Sequence, residues 1–235
     1  AALRQRYAQA HHWWGELMLL LGRPERASRR AILAVNLNPD NAGARRVLRD
    51  TQLAAGDAQT ALATARRAQR KHPDYSGSTG YMGWRYRKFV ALVHLQRYEE
   101  ALQVAEETSA ATTGRTADRW HTYRALVQAQ TGTPGPAQQR LTRLQDAPND
   151  PLSRFHTALL RAALGNKAAA FRAFEQVAEW VDGYKTETLR YHYPVLLGPL
   201  RESTRYDALL RAINEAWGLQ PSGHLPAQTG SPPDA

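Results

Sequence analysis

The chain of 235 residues contains no cysteine. That excludes disulfides, thiolate metal ligands and cysteine nucleophiles, and leaves both cytoplasm and periplasm open. Long apolar runs are missing too. The longest, Leu17 to Leu21, falls far short of the roughly 18 residues that a membrane span needs. The N-terminus lacks a charged leader followed by an apolar core, so no signal peptide is read there. It starts at Ala1 and not at Met, which points to a longer parent chain. Alternating runs of β-branched residues are absent, so no strand signal competes with helix.

What is there is a soluble composition, 43% hydrophobic and 22% charged, with a net charge of +10. The charge is uneven. Residues 1–100 hold 17 Lys/Arg against 8 Asp/Glu, whereas residues 101–235 hold 14 against 13. Such a basic half can face acidic protein, nucleic acid or anionic lipid. Arginine outnumbers lysine 27 to 4 beside abundant alanine, however, and that reads equally as a coding bias.

The organising feature is an internal repeat. Gly22-Arg23-Pro24-Glu25-Arg26-Ala27 is echoed by Gly56 to Ala61, Gln96 to Ala101, Gly132 to Ala137 and Gly165 to Ala170. In all five an alanine stands five residues after the turn residue, and successive alanines are 34, 40, 36 and 33 residues apart. Each alanine opens a set at +4 and +7: Ala27/Ala31/Ala34, Ala61/Ala65/Ala68, Ala101/Ala105/Thr108, Ala137/Leu141/Leu144 and Ala170/Phe174/Val177. That spacing puts three small or apolar side chains on one helical face. A glycine before it suits the left-handed end of a preceding helix. Pro39 and Pro73 each stop the helix before them. The unit is therefore helix A, a tight turn, helix B and a linker, and such hairpins bury their faces by stacking. The 40-residue spacing predicts an inserted loop over Asp74 to Gly80, and Gly132 to Pro136 reads as a tight turn.

Gly15, Ala27, Ala34 and Pro39, with Ala61, Ala68 and Pro73, fall where the tetratricopeptide repeat (TPR) consensus places its Gly, Ala and Pro. The chain resembles a TPR array over roughly residues 3–180. Arg49 and Phe89 depart from it, standing where glycine is usual. Ala10-His11-His12-Trp13 and Leu20-Leu21-Gly22-Arg23 are similar to a stretch of bacterial arrays carried by larger regulators, alongside winged-helix, adenylate cyclase or kinase domains. Pro194, Leu200-Arg201, Arg205-Tyr206 and Leu209-Leu210 resemble the closing helix of those arrays, with Ser203-Thr204 as its cap in place of the usual Asp-Pro. The resemblance implies an all-α, right-handed superhelical solenoid of about five repeats plus C-terminal capping helices over residues 1–218. Residues 219–235, rich in proline, are expected to form a disordered tail. It also implies a concave groove lined by His12, Glu16, Arg46, Asp50, Tyr86 and Val90. The Lys/Asn/Arg set that clasps C-terminal carboxylates in some TPR domains is only partly present.

Residue spacing argues against metal and catalytic chemistry. His11 and His12 are adjacent and point to different helix faces, and no His-x-x-x-His pair occurs, so no metal site is expected. There is no Gly-x-Ser-x-Gly elbow and no phosphate loop, since Gly77-Ser78-Thr79-Gly80 is too short and lacks its lysine. No enzyme and no cofactor are expected. The reading is a protein-interaction or sensory docking module of a larger bacterial regulator, with a protein or peptide partner, acidic if the basic half binds it. A free-standing adaptor is the first alternative. The second is nucleic-acid binding through Arg45, Arg46, Arg85 and Arg87, which lacks any repeated base-reading pair. The N-terminal end, with Tyr7, Trp13 and Trp14, carries no recognisable cap and is expected to pack on earlier repeats. The expected compartment is the cytoplasm, or the periplasm if a membrane segment lies upstream.

Overall fold

Helix forms wherever the alanine-centred periodicity runs. A computed structural model describes residues 2–71, 83–145, 150–177 and 203–216, together with 197 and 200. Pro73, the Asp74–Gly80 loop, Pro194 and the tail from residue 219 lie outside the described residues. Among the described residues there are eleven helices and no strand. In chain order they are α1 (Ala2–Leu20), α2 (Pro24–Leu37), α3 (Ala42–Ala54), α4 (Ala58–Lys71), α5 (Trp84–His94) and α6 (Tyr98–Ala110). There follow α7 (Gly114–Gln130), α8 (Gly135–Gln145), α9 (Pro151–Ala163), α10 (Lys167–Val177) and α11 (Thr204–Ala216). None of them is long and apolar enough to cross a membrane.

The five turn residues picked out by spacing all adopt a left-handed backbone: Gly22, Gly56, Gln96, Gly132 and Gly165 have φ of 72°, 78°, 57°, 88° and 77°. Each closes the helix before it with the same two bonds. The turn residue's N–H donates three residues back, as Gly22 does to Leu19 O at 2.9 Å and Gln96 to Val93 O at 3.0 Å. The next N–H donates five residues back, Arg23 to Met18 O at 2.8 Å and Arg97 to Leu92 O at 2.9 Å. This is the Schellman motif, which satisfies carbonyls that a helix end leaves bare. Helix starts are supplied by different chemistry. Asn41 accepts from Ala44 N at 3.0 Å, and Asp150 accepts from Leu152 N and Ser153 N at 3.0 and 3.2 Å. Pro24 and Pro151 open α2 and α9, where a missing N–H costs nothing.

Connections of three or four residues make helical hairpins of α1–α2, α3–α4, α5–α6, α7–α8 and α9–α10. The stronger contacts join each helix to its neighbours in the chain, with α1·α3, α3·α5 and α7·α9 added at one remove. The alanine-led faces are what these contacts bury. All the members of the five sets with described side chains lie in the interior, from Ala27, Ala31 and Ala34 to Ala170, Phe174 and Val177. Ala68 lies outside that description. At the far end α11 packs on α10 through Tyr206, Leu209 and Leu210, and Arg205 reaches Glu175 at 2.7 Å. Ser203 caps that helix by accepting from Arg205 N at 3.2 Å.

The interior is split. A small cluster of Met18, Leu19, Ala27, Ala31 and Val47 serves α1, α2 and α3. A large one runs from Leu53 to Leu210 and has an aromatic centre, where Tyr86, Phe89, Trp120 and Tyr123 meet at ring separations of 5.5 to 6.5 Å. Edge-on and tilted rings at such distances contribute about 0.5–1.5 kcal/mol per pair beyond their buried area.

Gln96 is the one non-glycine among the described residues at positive φ, and a side chain there costs about 1 kcal/mol or more. Gln96→Gly should raise stability by about 0.5–1 kcal/mol, and Gly56→Ala should lower it by about 1 kcal/mol, read as urea midpoints at constant slope. A stabilised Gly56→Ala would contradict the shared turn geometry.

Candidate functional site

Twelve residues before each repeat alanine, helices α1, α3, α5, α7 and α9 carry Gly15, Arg49, Phe89, Ala125 and Ala158. All five positions are buried. At Gly15 the helices are so close that a Cβ would stand 3.1 Å from Val47 Cγ1 and 3.4 Å from Ala27 O. At Phe89 the space is filled by an aromatic ring. At Arg49 it holds a cation that is only 7% exposed.

Around that arginine four of the six groove residues expected from the sequence come together. His12 Nε2 lies 3.6 Å from Glu16, one turn along α1. Glu16 accepts a hydrogen bond from Arg46 on α3, and Arg46 lies 3.5 Å from Asp50. Asp50 in turn accepts from Arg87 on α5 at 2.6 Å, with both side chains all but sealed from water. The chain of charge thus runs α1–α3–α5, across the gap between the small and large apolar clusters. The His12 ring lies flat enough on α3 that a Cβ on Gly43 would come within 2.4 Å of it.

The balance of this network is one positive charge in excess: Arg46, Arg49 and Arg87 face Glu16 and Asp50. Arg49 has no hydrogen bond or ion pair among the described residues, and its Nε is buried without a partner. Burial and the nearby Arg87 push its pKa down to about 9, against the pull of Asp50. It therefore stays cationic at neutral pH. His12 is neutral there: burial pushes it below its usual value, Glu16 pulls it back and Arg46 pushes it further down.

The structure places the other two expected groove residues elsewhere. Tyr86 and Val90 are in the large core, each 1% exposed, with Tyr86 packed on Trp120 and Tyr123. Arg87, one residue on, is the α5 side chain that faces the network. Arg87 and not Tyr86 faces Asp50 because Tyr86 and Phe89 on α5 pack against the rings of Trp120 and Tyr123 on α7. Of the arginines weighed for nucleic acid, Arg46 and Arg87 are consumed by internal carboxylates, Arg45 lies 3.2 Å from Asp40, and Arg85 covers its own neighbour Trp84. The sequence reading did not bring Arg87 to Asp50 as its partner, nor Arg49 to the same interior site. The signal for Arg49 was present as a charged residue in a position otherwise held by Gly, Phe or Ala.

A second feature is at the N-terminal end. Leu3, Tyr7, Trp14 and Leu17 are 71%, 62%, 53% and 41% exposed on one side of α1, and Trp13, Ile32 and Leu33 are exposed as well. With Ala10 the α1 stripe steps by four and three residues alternately, the spacing of a coiled-coil seam. Arg30 of α2 stands over the Trp14 ring at 5.1 Å. Set against known proteins, the chain matches no family model, no curated protein and no solved structure.

Because Asp50 is the ion-pair partner of Arg46 and Arg87 and also the carboxylate whose charge offsets Arg49, its loss should be worse than the loss of any one of the three. Asp50→Asn should destabilise by about 3–5 kcal/mol, Arg87→Met by less, and Arg49→Met should be neutral or stabilise by about 1 kcal/mol, by urea unfolding. Equal costs for all three would show that the network is not organised around Asp50.

His12 also gives a pH signature. Its folded pKa is depressed, so the stability that its neutral ring supports is complete above about pH 6.5 and is lost as pH falls below that. Between about pH 8 and pH 5.5 the urea midpoint should fall more for the native chain than for His12→Gln. Parallel pH profiles would remove His12 from the account.

Proposed function

We propose that this chain is a protein-docking module of tetratricopeptide type, the docking arm of a larger bacterial regulator, and that the exposed face of α1 receives an amphipathic helix with acidic flanks. What supports an array is the chain-order contact pattern, together with five copies of one turn and one alanine-led face. Units that touch only their neighbours form an elongated stack whose outer faces remain available to partners.

The observation that carries the docking reading is the unpartnered stripe of Leu3, Tyr7, Trp14 and Leu17. Large apolar and aromatic side chains left in water along one side of a helix mark a surface meant to be covered. Steps of four and three residues suit a helix laid along α1, as in other helix-on-helix recognition. Charge sets the kind of helix. Residues 1–37 hold six arginines, Arg4, Arg6, Arg23, Arg26, Arg29 and Arg30, against Glu16 and Glu25, and Glu16 is already paired inward. A partner with acidic residues beside its apolar seam complements that field and associates faster at low salt.

The test is a labelled synthetic helix with leucine at its seam positions and glutamate beside them, titrated by fluorescence anisotropy. Saturable binding that blue-shifts tryptophan emission is expected. Tyr7→Glu/Trp14→Glu, both at exposed positions, should weaken it at least tenfold while leaving the helical circular dichroism intact. If the native chain neither binds this helix nor self-associates, and iodide quenches its tryptophans freely, the docking face is refuted.

A further inference from the structure

The near-neutral half of the chain conceals the other concentrated positive charge. Where α7, α8 and α9 meet there is a half-open cleft of about 330 Å³, lined by Arg115 and Arg119 from α7, Arg140 and Arg143 from α8, and by Asp150 and His156 at α9. Spacing explains the convergence. Arg115 and Arg119 are one turn apart on one face of α7, and Arg140 and Arg143 are three residues apart on α8.

The two carboxylates of the cleft are already engaged. Asp118 lies 3.0 Å from Arg140, whose guanidinium is fixed further by Thr122 Oγ1 at 3.1 Å and the Asp118 carbonyl at 2.9 Å. Asp150 is turned to the start of α9, accepting from two backbone N–H groups and from Ser153 Oγ at 2.7 Å. Burial would raise its carboxyl pKa, but the bonds from Ser153 and Leu152 and the charge of Arg115 outweigh that and hold it below the usual carboxylate range. It stays ionised and occupied. Arg115 and Arg143 are exposed at the rim, and neither has a hydrogen bond or ion pair among the described residues. Arg115 and Arg143 are thus two rim cations with no carboxylate paired to them among the described residues. The same field reaches His121 beside the cleft, depressed first by burial and then by Arg124 and Arg140.

We infer that this cleft binds a small dianion of the phosphomonoester class, held at the rim by Arg115 and Arg143 against a floor made rigid by Arg140. A phosphomonoester carries between one and two negative charges at neutral pH, which suits the two rim cations Arg115 and Arg143. Planar guanidinium forks bind such tetrahedral oxyanions through paired hydrogen bonds. The volume is at the lower end of small-molecule sites, so the ligand is a compact phosphorylated metabolite and not an extended cofactor. The α1 docking face is on other helices, and this site is independent of it.

Isothermal titration of the purified chain with glycerol 3-phosphate tests it, at matched ionic strength, with succinate and neutral glycerol in parallel. Saturable binding of glycerol 3-phosphate is expected, with none of glycerol. Arg115→Gln/Arg143→Gln should weaken it at least tenfold, and Arg115→Lys/Arg143→Lys should recover part of the loss. Arg26→Gln/Arg67→Gln, which removes the same charge elsewhere, should leave it unchanged. Circular dichroism of each variant confirms that the helices remain. Binding of succinate without glycerol 3-phosphate would overturn the phosphoryl assignment. No binding of either, or equal losses in the two glutamine pairs, would overturn the site.

Discussion

The α1–α3–α5 layer depends on one buried carboxylate. Asp50 accepts from Arg87 at 2.6 Å out of reach of water, lies 3.5 Å from Arg46, and supplies the negative charge that offsets the buried Arg49. Ionic groups so placed lose hydration that their mutual attraction only partly restores, so such a network seldom exists for stability alone. Its location supplies the reason for its importance. It spans the break between the small cluster under α1–α3 and the large core that starts at Leu53, where apolar packing is discontinuous. Directional charge contacts hold α5 to α3 beside the apolar packing that Leu53 shares with α5 in the large core.

The turns were legible because they are local. A left-handed residue and two backbone bonds close a helix using only its own last turn and the next two residues, so a glycine five places before a buried alanine carries the whole signal. Gln96 shows the strength of that signal, since a non-glycine residue adopts φ of 57° when the surrounding repeat demands it. The alanine-led faces were legible for a related reason. Helical periodicity places positions +4 and +7 beside the first whatever they pack against.

The candidate site was legible in part. The resemblance to the repeat consensus singled out His12 with Glu16 and Arg46 with Asp50, each pair one turn apart, and the structure joins the two pairs. It could not reach Arg87, because the rotation of α5 is decided by Tyr86 and Phe89 packing on Trp120 and Tyr123, 30 and more residues away. The same rotation buries Tyr86 and Val90. The Arg-lined cleft was hidden because charge summed over half the chain, 14 basic against 13 acidic residues, averages to almost nothing, while α7 and α8 gather four arginines in one place.

The sequence by itself therefore determined the all-helical character, the five turns, the buried face of each second helix and the absence of thiol chemistry, because each follows from backbone geometry or residue identity within a dozen positions. Tertiary structure alone decided what fills the equivalent positions of the first helices: close backbone approach at Gly15, a trapped cation at Arg49 and an aromatic joint at Phe89. It also decided which charges cancel internally and which are left to meet a partner. Those outcomes depend on the distance and rotation between helices, and these are set by the volumes of side chains contributed from distant parts of the chain.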